Sequence, residues 1–433
     1  MIVTIILAII AVFLMFICVL KYPSIKIKNH TFDTFYIPLL LVTLILLIFP
    51  IFNKEELFNI LFSNSVLNPL KILALFMCVS VLSILLDETG FFEYIAIAFI
   101  KKYKDSQLKL FITIYVLVAI LTIFTSNDII ILTFTPFIIH FSKQGKINPI
   151  PYLVMEFVAA NTYSMALEIG NPTNIYLSSV FSLDFIEYFF AMIVPTILCG
   201  IVSIIVLLLL FKKSLNKKIE VFDVEDVKLK NKPLCLVAGI HLIVTIILLA
   251  ISNYVNLEMW IICLIFALSL LIIFLAYALK SKDYTYIKSG LKRVPYNLIP
   301  FILSMFTIIM ALDSYDIFDY IYVGLSKLSN ETLQPVIYLI TSTIACNIVN
   351  NIPMSLAYGS ILSNTENIKL VYATIIGSNL GALFTPVGAL AGIMWIRMLK
   401  EEDVKYSFLD FMKNGCVITV FLVIATSIGV MIV

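Results

Sequence analysis

Four short polar clusters interrupt long apolar segments of this sequence, and they hold the residues best suited to bind an ion or a small solute. Oxygens of Asn, Ser and Thr, and backbone carbonyls that Gly or Pro frees from helical hydrogen bonds, can coordinate a small cation. The free amides at the start of a helix can instead bind an anion. The candidate binding residues are Ser126, Asn127, Asp128, Asn161, Gly170, Asn171, Thr173, Asn174, Asn347, Asn350, Asn351, Ser378, Asn379, Thr385 and Gly388.

Two acidic residues, Asp128 and Glu168, lie inside these clusters. An unpaired carboxylate within a membrane-spanning segment is costly, so both are predicted to act in coupling, by binding a proton or a sodium ion. The alternative for Asp128 is structural, with its carboxylate accepting amide hydrogen bonds at the start of a helix. Asp87 and Asp313 fall at the ends of apolar segments and are predicted to be interfacial caps.

Other reactive side chains are sparse around the clusters. The seven cysteines form no C-x-x-C pair, so neither a zinc site nor a disulfide framework is predicted, and Cys346 is the only thiol near the clusters. His140 is interpreted as an ordinary boundary residue. No Lys or Arg falls in the predicted core, so an anion would be held by helix dipoles, polar groups and co-bound cations. No cofactor is predicted beyond a bound sodium ion or a proton.

The composition places these clusters in a membrane protein. Of the 433 residues, 61% are hydrophobic and only 13% are charged, whereas soluble domains are about 25% charged. The first apolar segment lacks a basic leader and a cleavage site, so it is predicted to be a retained helix. Full spans of roughly 20 apolar residues are predicted at 2–20, 35–52, 70–86, 185–211, 233–250, 259–279, 295–312 and 408–433.

The polar clusters themselves lie in four segments of a different kind. Segments 110–142 and 333–362 are polar at the centre and are predicted to be re-entrant hairpins. Each arm of about 15 residues would measure about 22 Å, which is short of a hydrocarbon core about 30 Å thick. Segments 152–181 and 368–399 are interrupted by Gly and Pro and are predicted to be broken spans. Non-helical backbone at membrane depth needs a protein-lined cavity, so the four segments are expected to converge.

The placement of basic residues supports this layout. With an external N terminus and with both hairpins returning to their side of entry, 25 of the 29 Lys and Arg residues fall on the cytoplasmic side. Only Lys54, Lys71, Lys327 and Lys369 fall outside. This bias is what the positive-inside rule requires. The chain is therefore predicted to be a multi-pass protein of the cell membrane with both termini outside.

The two halves of the chain resemble each other. Residues 85–95 match residues 311–321 at five identical positions, with an offset of 226. Two further matches follow in the same order, at offsets of 223 and 218: Ser126-Asn127-Asp128 with Val349-Asn350-Asn351, and Asn161 and Gly170 with Asn379 and Gly388. An offset close to half the length indicates an internal duplication.

The duplication predicts the domain organisation. The first repeat is residues 1–211, a cytoplasmic linker follows at 212–232, and the second repeat is residues 233–433. Each half would cross the membrane five times, which is an odd number, so the second repeat is inverted. The predicted fold is an all-α polytopic membrane protein with about 10 spans plus two hairpins, an arrangement typical of transporters.

The motifs resemble the ion transporter superfamily, within it the group of arsenical pump permeases, citrate transporters and sodium/proton antiporters of the D type. Ser126-Asn127-Asp128 with Thr135-Pro136 is similar to the first hairpin of that group. The second tip, 349–354, resembles arsenical pump permeases, and 170–175 resembles the broken helix of citrate and dicarboxylate carriers. The resemblance implies a fixed scaffold, an elevator-like mobile unit with both hairpins and both broken helices, a homodimer, and a separate ATPase subunit if the chain serves an arsenical pump.

The sequence predicts a secondary-active ion or anion permease driven by a proton or sodium gradient, with arsenite or small-oxyanion efflux as the leading specific function. Citrate, dicarboxylate or metal–citrate transport, sodium/proton antiport and a passive channel are the alternatives. An enzyme is not expected, because none of the three His residues lies in a polar cluster. The expected partners are a small inorganic or carboxylate solute and the lipid bilayer, with no nucleic acid.

Overall fold

The computed structural model describes residues 1–27, 30–49, 54–62, 68–103, 106–217, 228–252 and 254–433. The helices of the first half are α1 (Ile2–Lys21), α2 (Ile37–Ile48), α3 (Lys54–Phe62), α4 (Pro69–Glu88), α5 (Phe91–Tyr103), α6 (Gln107–Phe124), α7 (Asn127–Gln144), α8 (Ile150–Tyr163), α9 (Pro172–Val180) and α10 (Phe185–Leu215). Those of the second half are α11 (Lys232–Ala250), α12 (Met259–Ser281), α13 (Thr285–Arg293), α14 (Leu298–Asp313), α15 (Ile317–Ser326), α16 (Gln334–Val349), α17 (Asn351–Ile361), α18 (Ile368–Phe384), α19 (Leu390–Glu401) and α20 (Phe408–Ile432).

The predicted all-α polytopic architecture is confirmed. Among the described residues, eight helical segments are long and apolar enough to cross a membrane. The predicted span 35–52 corresponds to α2, although its end falls outside the described residues. The first hairpin differs in length from the prediction, because α6 and α7 have 18 residues each. Each arm therefore measures about 27 Å at 1.5 Å per residue, so the predicted arm length of 15 residues was wrong.

A small β-hairpin follows α1, and the sequence analysis did not predict it. Its antiparallel strands are β1 (Ser24–Ile27) and β2 (His30–Asp33). Four residues per strand are too few for a clear alternating pattern. Asn297 Nδ2 donates a hydrogen bond of 2.7 Å to Asp33 Oδ2, which attaches the hairpin to the segment that precedes α14.

Asn and Pro fix where several helices begin. Asn68 accepts a hydrogen bond from the Leu70 amide at the start of α4, and Pro69 is the first helical residue. Asn231 caps α11 in the same way. The side chain satisfies an amide that the helix leaves unpaired, and proline at the first position removes one such donor. The membrane-spanning segments are therefore delimited by local chemistry as well as by hydropathy.

Helices of the two halves of the chain pack against each other in reciprocal pairs. The third span of each half packs against the second span of the other half, so that α4 contacts α12 and α14 contacts α2. The short half-helix α9 contacts α17 of the second hairpin, and α19 contacts α7 of the first hairpin. The last helices, α10 and α20, pack against each other. Two repeats related by a pseudo-two-fold axis would produce such pairs, and the division into repeats at 1–211 and 233–433 remains a prediction.

Ion pairs join chain segments that were predicted to share a membrane side. Lys71 and Glu258, both predicted outside, form an ion pair of 2.6 Å, and the hydrogen bond from Lys71 lowers the pKa of Glu258. Lys143 and Glu402, both predicted inside, are 2.9 Å apart. The grouping of loops therefore agrees with the layout, while the assignment of one end to the cytoplasm remains a prediction.

Candidate functional site

Both broken helices are interrupted where Gly and Pro predicted. In the first, α8 ends at Tyr163, short 3-10 turns occupy residues 164–170, and α9 begins at Pro172. In the second, α18 ends at Phe384, a single 3-10 turn follows, and α19 begins at Leu390. Each break leaves amides and carbonyls without helical partners in the interior of the protein.

One glycine in each break allows two backbone segments to touch. A Cβ atom on Gly170 would lie 2.1 Å from the carbonyl oxygen of Ser164, and a Cβ atom on Gly388 would lie 2.3 Å from that of Gly381. No side chain can occupy either position without backbone movement. In both breaks the glycine lies against a backbone carbonyl that precedes it by six or seven residues.

Buried amide side chains connect the two broken helices. Asn379 of α18 accepts hydrogen bonds from Asn171 Nδ2 at 3.0 Å and from Ser164 Oγ at 2.9 Å, and its own Nδ2 donates to Asn174 Oδ1 at 2.8 Å. Thr173 Oγ1 and Ser378 Oγ are 2.9 Å apart. This cluster, residues 164, 171, 173, 174, 378 and 379, is called the crossing network below. It is a fully buried polar junction between the two halves.

The first hairpin tip joins the crossing network. Asn127 Nδ2 donates to Asn161 Oδ1 at 3.1 Å, and the Asn161 carbonyl accepts from Ser164 Oγ. The buried Ser126 Oγ has no hydrogen-bond partner within the described part of the chain. Asp128 is half-buried, and its carboxylate makes no hydrogen bond or ion pair with any described residue. The tip therefore presents the Ser126 hydroxyl and the Asp128 carboxylate, neither of which pairs with a described residue.

The second hairpin tip is anchored to the second broken helix. Asn347 Nδ2 donates to the carbonyls of Thr343 and Gly381, and Asn347 Oδ1 accepts from Thr385 Oγ1 at 2.6 Å. Asn350 adopts a left-handed φ of 76° and donates to the Val387 carbonyl at 3.0 Å. Asn350 and the adjacent Asn351 are both buried.

A cavity of about 370 Å³ extends from the first tip to the end of the protein that holds β2 and the start of α14. Ser126 and Asp128 lie on its wall, and one side of α19 forms much of the opposite wall. At the other end of the protein, the void beside Thr173 and Tyr176 measures only about 20 Å³. The described site is therefore accessible from one end, which the basic-residue distribution predicts to be cytoplasmic.

Two arginines and the exposed Lys292 line this cavity, so the prediction of a site without Lys or Arg was incomplete. Arg397 of α19 lies on the wall, but it forms ion pairs with Asp33 at 3.2 Å and with Glu401 at 2.9 Å. Arg293 of α13 forms ion pairs with Asp87 at 2.6 Å and with Glu88 at 2.8 Å. Sequence alone placed both arginines on the cytoplasmic side, Arg293 in a loop and Arg397 at the end of the broken span 368–399, and could not reveal their acidic partners. Both guanidinium groups are paired, so neither provides a free positive charge for an anion.

Asp87 is not the interfacial cap that the sequence predicted. Its residue is only 8% exposed, and besides pairing with Arg293 it accepts a hydrogen bond of 2.8 Å from Thr133 of α7. A buried carboxylate is stable when a cation and a hydroxyl both contact it. The Asp87–Arg293 pair thereby ties α4 and α13 to the returning arm of the first hairpin.

Three other residues from the sequence analysis lie apart from the cavity wall near Asp128. Glu168 is buried in the first break, and its Oε1 has no partner among the described residues. Cys346 packs behind α18, with Sγ 3.8 Å from the carbonyl oxygens of Gly377 and Ser378. His140 is exposed beside Gln144. The structure therefore separates the two predicted coupling carboxylates, and only Asp128 faces the large cavity.

Sequence analysis missed a third buried carboxylate, Glu156 of α8. Its residue is 0% exposed, and its oxygens accept hydrogen bonds from Thr135 Oγ1 at 3.1 Å and from Trp395 Nε1 at 3.4 Å. The available signal was a single Glu in the middle of an otherwise apolar run at 152–160, because an acidic residue within a span is rarely incidental.

Comparison with known proteins agrees with this architecture. A family model described as citrate transporter matches residues 1–369. The chain belongs to the citrate transporter family. This family member is also 27% identical over 363 residues to an arsenical pump membrane protein of Escherichia coli, covering 80% of this chain and 82% of that protein. A putative arsenical pump membrane protein of Bacillus subtilis is 24% identical over 387 residues, with coverages of 80% and 84%.

A solved structure supports the fold of this citrate transporter family member. The crystal structure of the YdaH transporter of Alcanivorax borkumensis aligns with a TM-score of 0.58 at 9% identity, covering 100% of this chain and 97% of that chain. At this identity the likeness concerns the fold alone. The predicted superfamily is confirmed by the family match and the relatives, and the chain is a multi-pass membrane transporter.

Proposed function

We propose that this transporter is a secondary-active permease that moves a small inorganic or carboxylate solute at the expense of a proton or sodium gradient. One observation carries the proposal: the Asp128 carboxylate, which pairs with no described residue, lies at the first hairpin tip on the wall of a 370 Å³ cavity that opens at one end. A carboxylate there can take up and release a cation, whereas a passive pore needs no such group. The surrounding amides and hydroxyls suit a polar solute.

Arsenite, or a similar small solute, is the leading substrate. Arsenous acid is neutral near pH 7, and the Ser126 hydroxyl and the Asp128 carboxylate on the cavity wall can hydrogen-bond it without any free positive charge. A tricarboxylate would bring about three negative charges close to Asp128, and like charges at short range in a low dielectric repel strongly. Acidic partners already neutralise the two arginines near the cavity, so only Lys292 on its wall opposes this repulsion, with one positive charge against about three negative ones. The arsenical pump relatives point the same way.

Citrate is the second candidate, and the citrate transporter family match favours it. The cavity volume does not exclude a citrate molecule. The charge argument then requires citrate to enter with a bound metal ion or with co-transported cations. Sodium/proton exchange without an organic solute is the third candidate, because Asp128 could bind either cation. In each case Asn127, Asn350 and Asn351 are proposed to contact the transported species.

The proposed mechanism is an elevator motion. The mobile unit would contain α6 to α9 and α16 to α19, and hydrogen bonds of the crossing network join the first broken helix to α18 within it. The remaining spans would form the scaffold, with a second copy of the chain as the proposed partner in the cell membrane. Movement of the unit would expose the site at the opposite end. An ATPase subunit would be needed only if the chain serves an ATP-driven arsenical pump.

The leading substrate is tested by expression in a cell that lacks its own arsenite exporter. We expect the transporter to raise arsenite tolerance and to lower arsenite accumulation, while Asp128→Asn, produced at the same level, does neither. Unchanged arsenite sensitivity together with new citrate-dependent uptake would reverse the substrate ranking. Unchanged behaviour in both assays, with improved growth in high salt at alkaline pH, would favour sodium/proton exchange.

A further inference from the structure

Glu156 lies at the centre of a polar contact that the transport proposal does not use. It occupies the middle of α8, where residues 151–162 are all buried. Its two carboxylate oxygens share the hydroxyl of Thr135, and Oε2 also accepts a hydrogen bond from the indole of Trp395. No Lys, Arg or His pairs with it among the described residues. The contact therefore links α7, α8 and α19 through neutral donors.

The position of Trp395 on α19 gives this link a consequence for the cavity. The residues of α19 that line the cavity recur at helical spacing, so they share one face: Leu390, Ile393, Met394, Arg397, Met398 and Glu401. At 100° per residue, Trp395 lies roughly 130° around the helix from the centre of that face. Its indole is fully buried and packs against the rings of Phe157 and Phe411. Glu156 thus contacts the side of α19 that points away from the cavity, while the opposite side of α19 lines it.

The same contact reaches the first hairpin. Thr135 lies on α7, the helix whose first turn carries Asp128. The hydrogen bond from Thr135 to Glu156 restrains α7, and the hydrogen bond from Trp395 to Glu156 restrains α19. Glu156 therefore contacts both of the helices that line the cavity. The residue at an offset of 218 from Glu156 is Thr374, and its hydroxyl donates instead to the Leu370 carbonyl of its own helix.

We propose that Glu156 is a positioning residue that sets the rotation of α19 against α7, and thereby the placement of Arg397 and Asp128 around the solute. The inference rests on the proposed function, because it takes the cavity as the solute pathway. A hydrogen-bonding side chain of this length is required at position 156, and its charge is not. Gln can replace Glu, since its carbonyl accepts from the Trp395 indole and its amide donates to the Thr135 hydroxyl.

The test compares Glu156→Gln, Glu156→Leu and Trp395→Phe in a flux assay with the purified transporter. We expect Glu156→Gln to stay within about twofold of the parent in both apparent KM and maximal rate. Glu156→Leu and Trp395→Phe should raise the apparent KM roughly tenfold, as expected for a lost buried hydrogen bond, with a smaller effect on the maximal rate. Parent-like transport by Glu156→Leu would overturn the inference. A Glu156→Gln variant that still exchanges solute but no longer accumulates it would overturn it too, since Glu156 would then be a coupling group.

A second readout does not depend on transport. The chain has two tryptophans, and Trp260 lies at the start of α12, where it contacts Glu258. In a Trp260→Phe background, the emission of Trp395 should be unchanged by Glu156→Gln and should shift with Glu156→Leu. Identical emission from the Trp260→Phe protein and from its Glu156→Gln and Glu156→Leu derivatives would contradict the positioning role. A parent protein that transports nothing would count against the proposed function, while the emission of Trp395 would still test Glu156.

Discussion

Replacement of Asp128 by Asn is expected to abolish solute accumulation while leaving solute exchange in place. An amide of the same shape cannot bind and release a proton, and it binds sodium less well than a carboxylate does. The solute site would still form, because the hydrogen bond between Asn127 and Asn161 does not involve Asp128. The accumulation ratio of an uncharged solute at steady state should therefore fall to about one, the value for a carrier uncoupled from any gradient.

The same variant separates coupling from a structural role. Asp128 lies in the first turn of α7, behind the N-cap Ser126, where loss of its charge costs only about 0.3–1 kcal/mol, so a purely structural Asp128 predicts normal accumulation by Asp128→Asn. Asp403→Asn is the matched control, because Asp403 is exposed and has a positive φ of 59°, a conformation that Asn tolerates well. The measurement is the ratio of internal to external solute under an imposed gradient. Full accumulation by Asp128→Asn would reject coupling through this residue.

Alanine at either break glycine should destabilise the protein and eliminate transport. The added Cβ would meet a backbone carbonyl at 2.1 Å in Gly170→Ala and at 2.3 Å in Gly388→Ala. Both carbonyls belong to the backbone and not to a flexible side chain, so one of the two backbone segments in the break must move. Overpacking of this kind costs about 1–3 kcal/mol, and displacement at Ser164 also disturbs its hydrogen bond to Asn379. The apparent melting temperature of the purified protein should fall in both variants.

Two other glycines provide matched controls for these substitutions. A Cβ atom on Gly239 of α11 or on Gly324 of α15 would meet nothing within 4 Å. Alanine at these positions should leave transport intact and, because it favours the helix over glycine, should not lower stability. If Gly170→Ala and Gly239→Ala gave the same melting temperature and the same flux, the close backbone contact in the break would not matter to the fold or to transport.

Much of this fold was predictable because the membrane restricts what a sequence can form. Apolar length defines spans such as α10 and α20, and the positions of Lys and Arg distinguish a returning hairpin from a crossing helix. The crossing network was predictable for the same reason: Asn171, Asn174 and Asn379 are conspicuous where nearly every neighbour is apolar. Local chemistry thus identified the four elements that the structure brings together.

The missed features depend on partners that are remote in sequence. Asp87 resembled a helix cap until the structure placed it against Arg293, 206 residues away. Arg397 resembled a cation at the cytoplasmic end of a broken span, because nothing near it in sequence reveals Asp33. Periodicity also cannot specify which buried residue of α8 faces which helix, so the contact of Glu156 with Trp395 was not predictable. Hydropathy predicts segments, and pairing between distant segments requires the tertiary structure.

The most direct test of gradient-driven solute transport is a flux measurement with purified protein in sealed lipid vesicles. The internal concentration of labelled arsenite, and in parallel of citrate, is followed with and without an imposed proton or sodium gradient. We predict saturable uptake of one solute that rises above the external concentration only while a gradient exists and that collapses when an ionophore dissipates the gradient. Uptake that never exceeds the external concentration and increases linearly with solute would contradict the account and would identify a passive channel.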